Sequence, residues 1–284
     1  MGGAVKRVEE RLTGVGGRRI FWQAWLPETE PRAIVIVAHG AGEHSGRYEH
    51  VARRLVNEGF GVYAIEHRGH GRSDGPRALI DRVDHTVADL DQLVRLASER
   101  HPEAQVFLLG HSMGGTIAVR YAVLHGDRLS GLILSGPLAA MVAAPAPQRV
   151  AARVLSTLTP RLPVVAIDAS LVSRDAEVVK AYVEDPLVYH GKLPVRTVAE
   201  LAAAIDAFPA EVGQITVPTL IMYGTADGLC PPAGSVMLDE LIGASDKTLK
   251  AYEGLHHEIL NEPEQDQVMD DLCAWLGARV AVAA

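Results

Sequence analysis

The sequence predicts an α/β fold in which a mostly parallel central sheet is flanked by helices. Short β-rich segments alternate with helical patterns along most of the 284 residues, which is typical of a parallel sheet covered by helices. The most apolar segments are continuous runs, as expected for strands that are buried on both faces. The alternation fails between residues 137 and 210. We therefore expect a helical cap inserted into the sheet-and-helix core.

The predicted elements follow one another along the chain. Strands at 7–13 and 18–25, on either side of a glycine-rich turn, are expected to form an antiparallel edge hairpin. The strands predicted after it are 33–38, 61–65, 106–109, 132–134, 219–222 and 248–252. The helices predicted between and after them are 48–57, 86–99, 116–124 and 263–276.

These elements divide the chain into a predicted core, residues 1–136 and 211–284, and a cap or lid insertion, residues 137–210. Prolines interrupt the cap, and one stretch of it, 148–158, has helical periodicity. Its apolar residues, which share one face of that helix, are Val150, Ala151, Val154, Leu155 and Leu158. Arg149 and Arg153 lie off this face. The alternative is that residues 137–210 supply two ordinary packing helices of the main domain.

Composition excludes several classes of function. A net charge of −8 and the lack of a basic stripe argue against a nucleic-acid partner. The apolar runs are too short to span a bilayer, and residues 1–6 lack the apolar core of a signal peptide. Two cysteines, Cys230 and Cys273, do not make a disulfide framework. We expect a cytoplasmic protein whose membrane contact, if any, is peripheral; its oligomeric state is not predicted.

The segment 110–114 has the pattern Gly-x-Ser-x-Gly, with Ser112 at its centre. A buried-strand pattern ends at Leu109, and a helical pattern starts at Gly114. A strand, a tight turn and a helix are the setting in which a nucleophilic serine is presented to solvent. The turn requires small residues on both sides, and Gly110 and Gly114 meet this requirement. The sequence therefore predicts that Ser112 is a catalytic nucleophile.

A serine hydroxyl needs a base, and the base needs an orienting acid. In this arrangement the order along the chain is serine, acid, histidine. Asp227 follows the predicted strand 219–222, at the carboxyl end where active-site groups collect. Asp246 precedes the next strand and so lies at the wrong edge. The histidine should follow the last strand, where His256 and His257 are adjacent; the residues alone leave this choice open.

Stabilisation of an oxyanion requires two preorganised backbone N–H groups. One is expected from Met113, which follows the nucleophile. The other is expected from Ala41, in the glycine-rich loop 39–44 after a buried strand. The alternative is an ordinary glycine turn, but its position directly after that strand favours a functional loop.

Beyond these patterns, the chain resembles the monoacylglycerol lipase family of α/β-hydrolases over nearly all of its length. The segments that carry the resemblance are 39–48, 67–73, 110–115, 185–187 and 252–258. The last segment aligns the family's catalytic histidine with His257.

The resemblance implies an α/β-hydrolase fold and hydrolysis of monoacylglycerol to fatty acid and glycerol. It implies an apolar acyl tunnel under the cap and a polar pocket for glycerol, with Glu43, Arg47 and Tyr182 near that pocket. Cys230 resembles a pocket cysteine of some members. Gly228 departs from the charged residue expected after the acid. The implied partner is a small lipid ester. Apart from the resemblance, the amphipathic helix predicted at 148–158 is expected to rest on a lipid surface, with Arg149 and Arg153 near anionic headgroups.

No cofactor or metal is predicted. Residues 69–73 lack the Gly-Lys-Ser/Thr of a phosphate loop, and His257-Glu258 lacks the second histidine of a zinc helix. Two rivals remain for the function. One is a broad carboxylesterase or lysophospholipase with the same triad. The other is a non-catalytic ligand-binding protein of the same fold.

Overall fold

A computed structural model describes residues 5–141 and 146–280, and the side chains of residues 146–151 lie outside this description. The predicted placement of Arg149, Val150 and Ala151 on the cap helix therefore falls outside the described side chains. The described residues form an eight-stranded sheet. The first two strands are antiparallel to their neighbours and the others are parallel, so the predicted edge hairpin and mostly parallel sheet are confirmed.

The strands of this sheet are β1 Lys6–Thr13, β2 Arg19–Leu26, β3 Ala33–Ala38, β4 Gly61–Ile65, β5 Gln105–His111, β6 Gly131–Ser135, β9 Thr219–Gly224 and β10 Lys247–Tyr252. They lie side by side in the order β1-β2-β4-β3-β5-β6-β9-β10. A separate antiparallel pair consists of β7 Pro163–Val165 and β8 Leu193–Pro194. The helices are α1 Glu49–Asn57, α2 Val83–Arg100, α3 Met113–His125, α4 Ala146–Leu158, α5 Ala176–Glu184, α6 Val195–Glu211, α7 Pro232–Leu241 and α8 Gln265–Gly277.

Two hydrophobic clusters, one on each face of the sheet, make up the core. Along β3, Ile34 and Ile36 face the cluster that contains residues of α2, α3 and α6, while Val35 and Val37 face the cluster of α1 and α8. This alternation follows from the two-residue period of a strand. Because both faces are covered by helices, β3 is apolar throughout, and its carboxyl end is held rigidly at the edge where the functional loops begin.

The region 137–210 contains two kinds of helix. Helix α6 packs against α2 and α3, and its Leu201, Ile205 and Phe208 belong to the main core cluster. Helix α4 packs against α6, while its large apolar residues Val154, Leu155 and Leu158 are exposed. Helix α6 is thus packed into the core, whereas the apolar side chains of Val154 and Leu158 on α4 face solvent. The boundary between core and cap stays a prediction.

Helix α3 begins three positions before the predicted start, at Met113. Gly114 and Gly115 are poor helix formers, which is why the periodicity is clear only from Thr116. In the structure these glycines allow the helix to approach the sheet: a Cβ on Gly115 would lie 2.7 Å from Pro137 Cβ. Tertiary packing therefore outweighs local propensity at this helix start.

Candidate active site

Ser112 lies in the sharp turn between β5 and α3. Its backbone angles, φ 54° and ψ −121°, are outside the regions that ordinary residues prefer. A Cβ on Gly110 would lie 2.5 Å from the carbonyl oxygen of Gly114, and a Cβ on Gly114 would collide with the backbone of Ala38. Both glycines are therefore required by the close approach of backbone segments. A strained serine at a strand-to-helix turn is typical of an exposed nucleophile.

A second segment, 71–75, has the same Gly-x-Ser-x-Gly pattern. Its serine, Ser73, is buried; its hydroxyl donates to the carbonyl of Glu66 and accepts from the N–H of Phe21 at 2.8 Å. Ser73 thus ties the long loop between β4 and α2 to β2, and it does not lie in a sharp turn that joins a strand directly to a helix. The structural context, rather than the pattern itself, distinguishes the two serines.

Asp227 and His257 are brought together from the loops after β9 and β10. His257 Nδ1 lies 2.8 Å from Asp227 Oδ2, and both side chains are buried. Asp227 Oδ1 accepts the N–H groups of Leu229 and Cys230 at 2.9 and 2.8 Å. Burial tends to raise the pKa of the Asp227 carboxyl, but these hydrogen bonds, with that of His257 first, hold it below its usual value. The carboxylate is therefore ionised and fixed, as the acid of a triad should be.

The geometry distinguishes the two adjacent histidines that the residue types left open. His257 faces Asp227, whereas His256 donates its backbone N–H to Glu262 at 3.4 Å. Within the described part of the chain, Nδ1 of His256 has no hydrogen-bond partner. Of the two rings, the one paired with the carboxylate is that of His257.

Cys230 connects this pair to the serine. Its Sγ lies 3.7 Å from Ser112 Oγ. The side-chain atoms of Asp227, Cys230 and His257 that could bind a metal, a carboxylate oxygen, the sulfur and a ring nitrogen, lie within 4.8 Å of one another. Burial opposes protonation of His257, yet the pKa of its imidazole is raised well above the usual value by the adjacent Cys230 and Asp227. In the described ranges these are the only three side chains grouped closely enough for a metal. Two of their atoms already form the Asp227–His257 hydrogen bond.

The predicted oxyanion loop lies directly against the serine. Gly40 donates its N–H to Glu43 Oε1 at 2.5 Å, and a Cβ on Gly40 would lie 3.1 Å from Ser112 Cβ. Ala41 follows Gly40 in this loop. Met113 is the first residue of α3, where N–H groups have no acceptor within the helix. Both predicted N–H donors therefore belong to segments adjacent to Ser112.

Of the four residues that the resemblance associates with substrate binding, Glu43, Arg47 and Tyr182 form one buried cluster. Arg47 donates from Nε to Glu43 Oε2 at 3.1 Å, and its guanidinium carbon lies 4.7 Å from the ring centroid of Tyr182. Burial tends to raise the pKa of Glu43, but nearby His111 and Arg47 lower it overall. The fourth residue, Cys230, lies apart from this cluster, beside Ser112.

Several residues at the site were given no role by the sequence. Glu258 is buried and accepts a hydrogen bond from Arg47 Nη2 at 2.5 Å. His44 Nε2 lies 2.8 Å from Asp185 Oδ2, so the predicted oxyanion loop is tied to the predicted cap. These side chains fall inside the recognised segments, but their partners are 141 and 211 positions away. Sequence patterns do not reveal such long-range pairs.

Known proteins with similar sequences support a common ancestry across this whole arrangement. A family model described as serine aminopeptidase, S33, matches residues 29–264. The monoacylglycerol lipase of Mycolicibacterium smegmatis is 44% identical over 271 residues, covering 95% of this chain and 97% of that protein. Human monoglyceride lipase is 38% identical over 276 residues, covering 96% and 91%. The crystal structure of Paleococcus ferrophilus monoacylglycerol lipase superposes with a TM-score of 0.82 at 31% identity, covering 97% and 99%.

Proposed function

Because the chain belongs to the monoacylglycerol lipase family of α/β-hydrolases, we propose that it hydrolyses monoacylglycerol to free fatty acid and glycerol. It is a carboxylic-ester hydrolase, and Ser112, Asp227 and His257 are its catalytic triad in this proposal. The observation that carries the proposal is the buried Asp227–His257 pair, which is connected to the strained Ser112 through Cys230. A binding module has no need of such an arrangement.

The mechanism follows from these positions. Ser112 Oγ attacks the ester carbonyl while His257 accepts its proton, and Asp227 stabilises the imidazolium. The N–H groups of Ala41 and Met113 stabilise the oxyanion of the tetrahedral intermediate. Glycerol leaves with the proton from His257, and a water molecule then attacks the acyl-enzyme by the same route.

Selection of monoacylglycerol is assigned to the buried polar cluster and the adjacent cysteine. Glu43, Arg47 and Tyr182 are charged or polar groups that offer partners to the free hydroxyls of glycerol, and Cys230 borders the reacting serine. A triacylglycerol has no free hydroxyl and would cover these groups without bonding to them. Each buried polar group left without a partner costs about 1–3 kcal/mol. Sites built for hydroxyls therefore reject analogues that lack them, here by about 10²-fold.

Access to the substrate is assigned to the outer cap strip, residues 152–165. On its helical part Ser156 is buried while Val154, Leu155 and Leu158 are exposed, which reverses the usual burial of an amphipathic helix. Exposed apolar residues continue after the helix with Leu162, Val164 and Val165. Such a surface fits the interface of a lipid bilayer.

The charge of this region complements an anionic lipid surface. Residues 129–167 contain arginines but no Asp or Glu, in a chain whose net charge is −8. Arg153 and Arg161 are exposed on the outer cap strip. None of the described helices combines the length and apolar character needed to cross a membrane.

Steady-state kinetics on a panel of lipids tests the proposal. The kcat/KM for a monoacylglycerol should exceed that for a triacylglycerol in the same detergent by about 10²-fold. Similar values would move the protein to the general lipases. Preference for simple alkyl esters or lysophospholipids would favour the rival esterase or lysophospholipase. The absence of fluorophosphonate labelling at Ser112, with Ser112→Ala as the blank, would favour a binding protein instead.

A further inference from the structure

A buried ion-pair bridge, formed by Glu43, Arg47 and Glu258, crosses the candidate active site. Arg47 donates from Nε to Glu43 Oε2 at 3.1 Å and from Nη2 to Glu258 Oε2 at 2.5 Å. The side chains of Arg47, Glu43 and Glu258 are 9%, 5% and 5% exposed. A guanidinium held between two carboxylates in such a dry environment has little freedom to move, because each charge depends on its partner.

Each end of the bridge contacts or belongs to a loop with a proposed catalytic role. At one end, Glu43 Oε1 accepts the N–H of Gly40, the residue before Ala41 in the oxyanion loop, and the hydroxyl of Tyr48 at 2.7 Å. At the other end, Glu258 follows His257 directly in the chain. The bridge therefore runs from the oxyanion loop to the histidine loop.

Further contacts fix Glu258. Its Oε2 also accepts from Asn261 Nδ2 at 2.9 Å, and its backbone N–H donates to the carbonyl of Val172 in the cap at 2.8 Å. Glu258 is thus held through both its side chain and its main chain. A displacement of its carboxylate would be transmitted to the backbone of His257, one residue away.

We propose that Glu258 is a positioning residue, which acts through Arg47 to hold His257 in register with the oxyanion loop. The catalytic distances depend on this register, because the serine proton and the oxyanion must be accepted at the same time by groups on different loops. Misplacements of about 1 Å in such a site cost on the order of 10²-fold in rate. The inference rests on the catalytic role of His257 proposed above, but not on the identity of the lipid.

The variant Glu258→Gln tests this, because it keeps the shape of the side chain and removes its charge. Turnover of a short soluble ester is measured per active site, with the sites counted by fluorophosphonate labelling. We expect kcat to fall about tenfold or more, since hydrogen bonds to charged groups are the strong ones, with little change in KM. Glu253→Gln, an exposed glutamate in the preceding turn, is the matched control and should keep the parent kcat.

A second measurement separates the bridge from a general effect on folding. Glu43→Gln and Glu258→Gln break the same bridge, so the double variant should lose little more than the worse single variant. Multiplicative losses would overturn the action through Arg47. An unchanged kcat per active site, or a loss that lies only in KM, would overturn the positioning role.

If Glu258→Gln did not fold, Asn261→Ala would decide, because it removes only the second donor to Glu258 Oε2. Its kcat per active site should fall a few-fold, and an unchanged value would overturn the proposal. Failure of the triad assignment has a different signature: His257→Ala would remain active. Failure of the substrate assignment would appear only with monoacylglycerol and would leave the soluble-ester results unaffected.

Discussion

Two parts of the region 137–210 are held in opposite ways. Polar contacts tie the cap base, residues 172–189, to the predicted oxyanion loop, residues 39–44, and to the loop after β10 that carries His257. Ser173 Oγ donates to the carbonyl of Asn261 at 3.1 Å, and Arg174 donates its N–H to Glu262 at 2.6 Å. Tyr189 donates its N–H to the carbonyl of Gly42 at 2.7 Å. The outer cap strip, residues 152–165, instead exposes apolar side chains.

From this difference we infer that the region 137–210 serves two physical purposes. Polar contacts depend on distance and direction, so they suit the cap base, which forms a wall of the site. Apolar contact is non-directional and adapts to a fluid surface, so it suits the outer strip. The cap base should therefore respond to substitution like catalytic machinery, and the outer strip like a docking surface. The following predictions can break or sharpen this division.

The largest effect is expected at His257, which lies on the loop after β10 that the cap base contacts. His257→Ala should lower kcat/KM on every ester by about 10⁴-fold, because the triad acts as a unit. The adjacent variant His256→Ala is the matched control and should retain most activity, since its ring does not face Asp227. Initial rates on a short soluble ester and on a monoacylglycerol measure both. A dead His256→Ala with an active His257→Ala would show that the triad is wrongly assigned.

Much of the candidate active site was predictable from the sequence, because the patterns that indicate it lie within short segments of the chain. Residues 110–114 combine the glycines with a strand before and a helix after, and the same pattern at 71–75 lacks that context. The choice between His256 and His257 required the family resemblance, since neighbouring residues of the same type carry no local difference. The role of Glu258 could not be predicted, because Arg47 lies 211 positions away. Nor did periodicity reveal which way the apolar face of α4 points, since it gives a face but not its surroundings.

The second expected effect is on the free energy of unfolding, and it arises from buried histidines near the predicted oxyanion loop. Near the oxyanion loop several histidines are buried; burial lowers the pKa of His39 and His67 well below the usual value, and that of His70 and His111 to about 4. Between pH 6.5 and 4 the unfolded chain binds protons that the folded chain does not, so stability falls as the pH falls. From pH 7 to 5, His70 alone should account for a loss of about 2 kcal/mol. The raised pKa of His257 adds stability only as the pH falls to about 6.5; below that value this histidine is protonated in both the folded and the unfolded chain and does not change the trend.

Urea unfolding at both pH values measures this loss. His70→Gln should reduce the difference in unfolding free energy between pH 7 and pH 5 by about 2 kcal/mol, whatever its effect at either pH alone. His125→Gln, at the end of α3 and only half-buried, is the control and should leave the difference nearly unchanged. An equal reduction in the two variants would mean that the acid sensitivity does not come from the buried histidines.

The smallest effect is expected on the outer cap strip. Replacing Val154 and Leu155 by Ser removes apolar groups that are 51% and 40% exposed, so the fold should lose little stability. Partition into a bilayer should weaken, because each buried methylene contributes about 0.8 kcal/mol. Incomplete insertion reduces this, and we expect activity on monoacylglycerol in anionic vesicles to fall about tenfold. Turnover of a short soluble ester should not change.

Val236→Ser, on α7 and 37% exposed, is the matched control for loss of exposed apolar surface and should leave both activities unaltered. Equal losses on vesicles and on the soluble ester would assign Val154 and Leu155 to packing and would remove the distinction between the outer strip and the cap base.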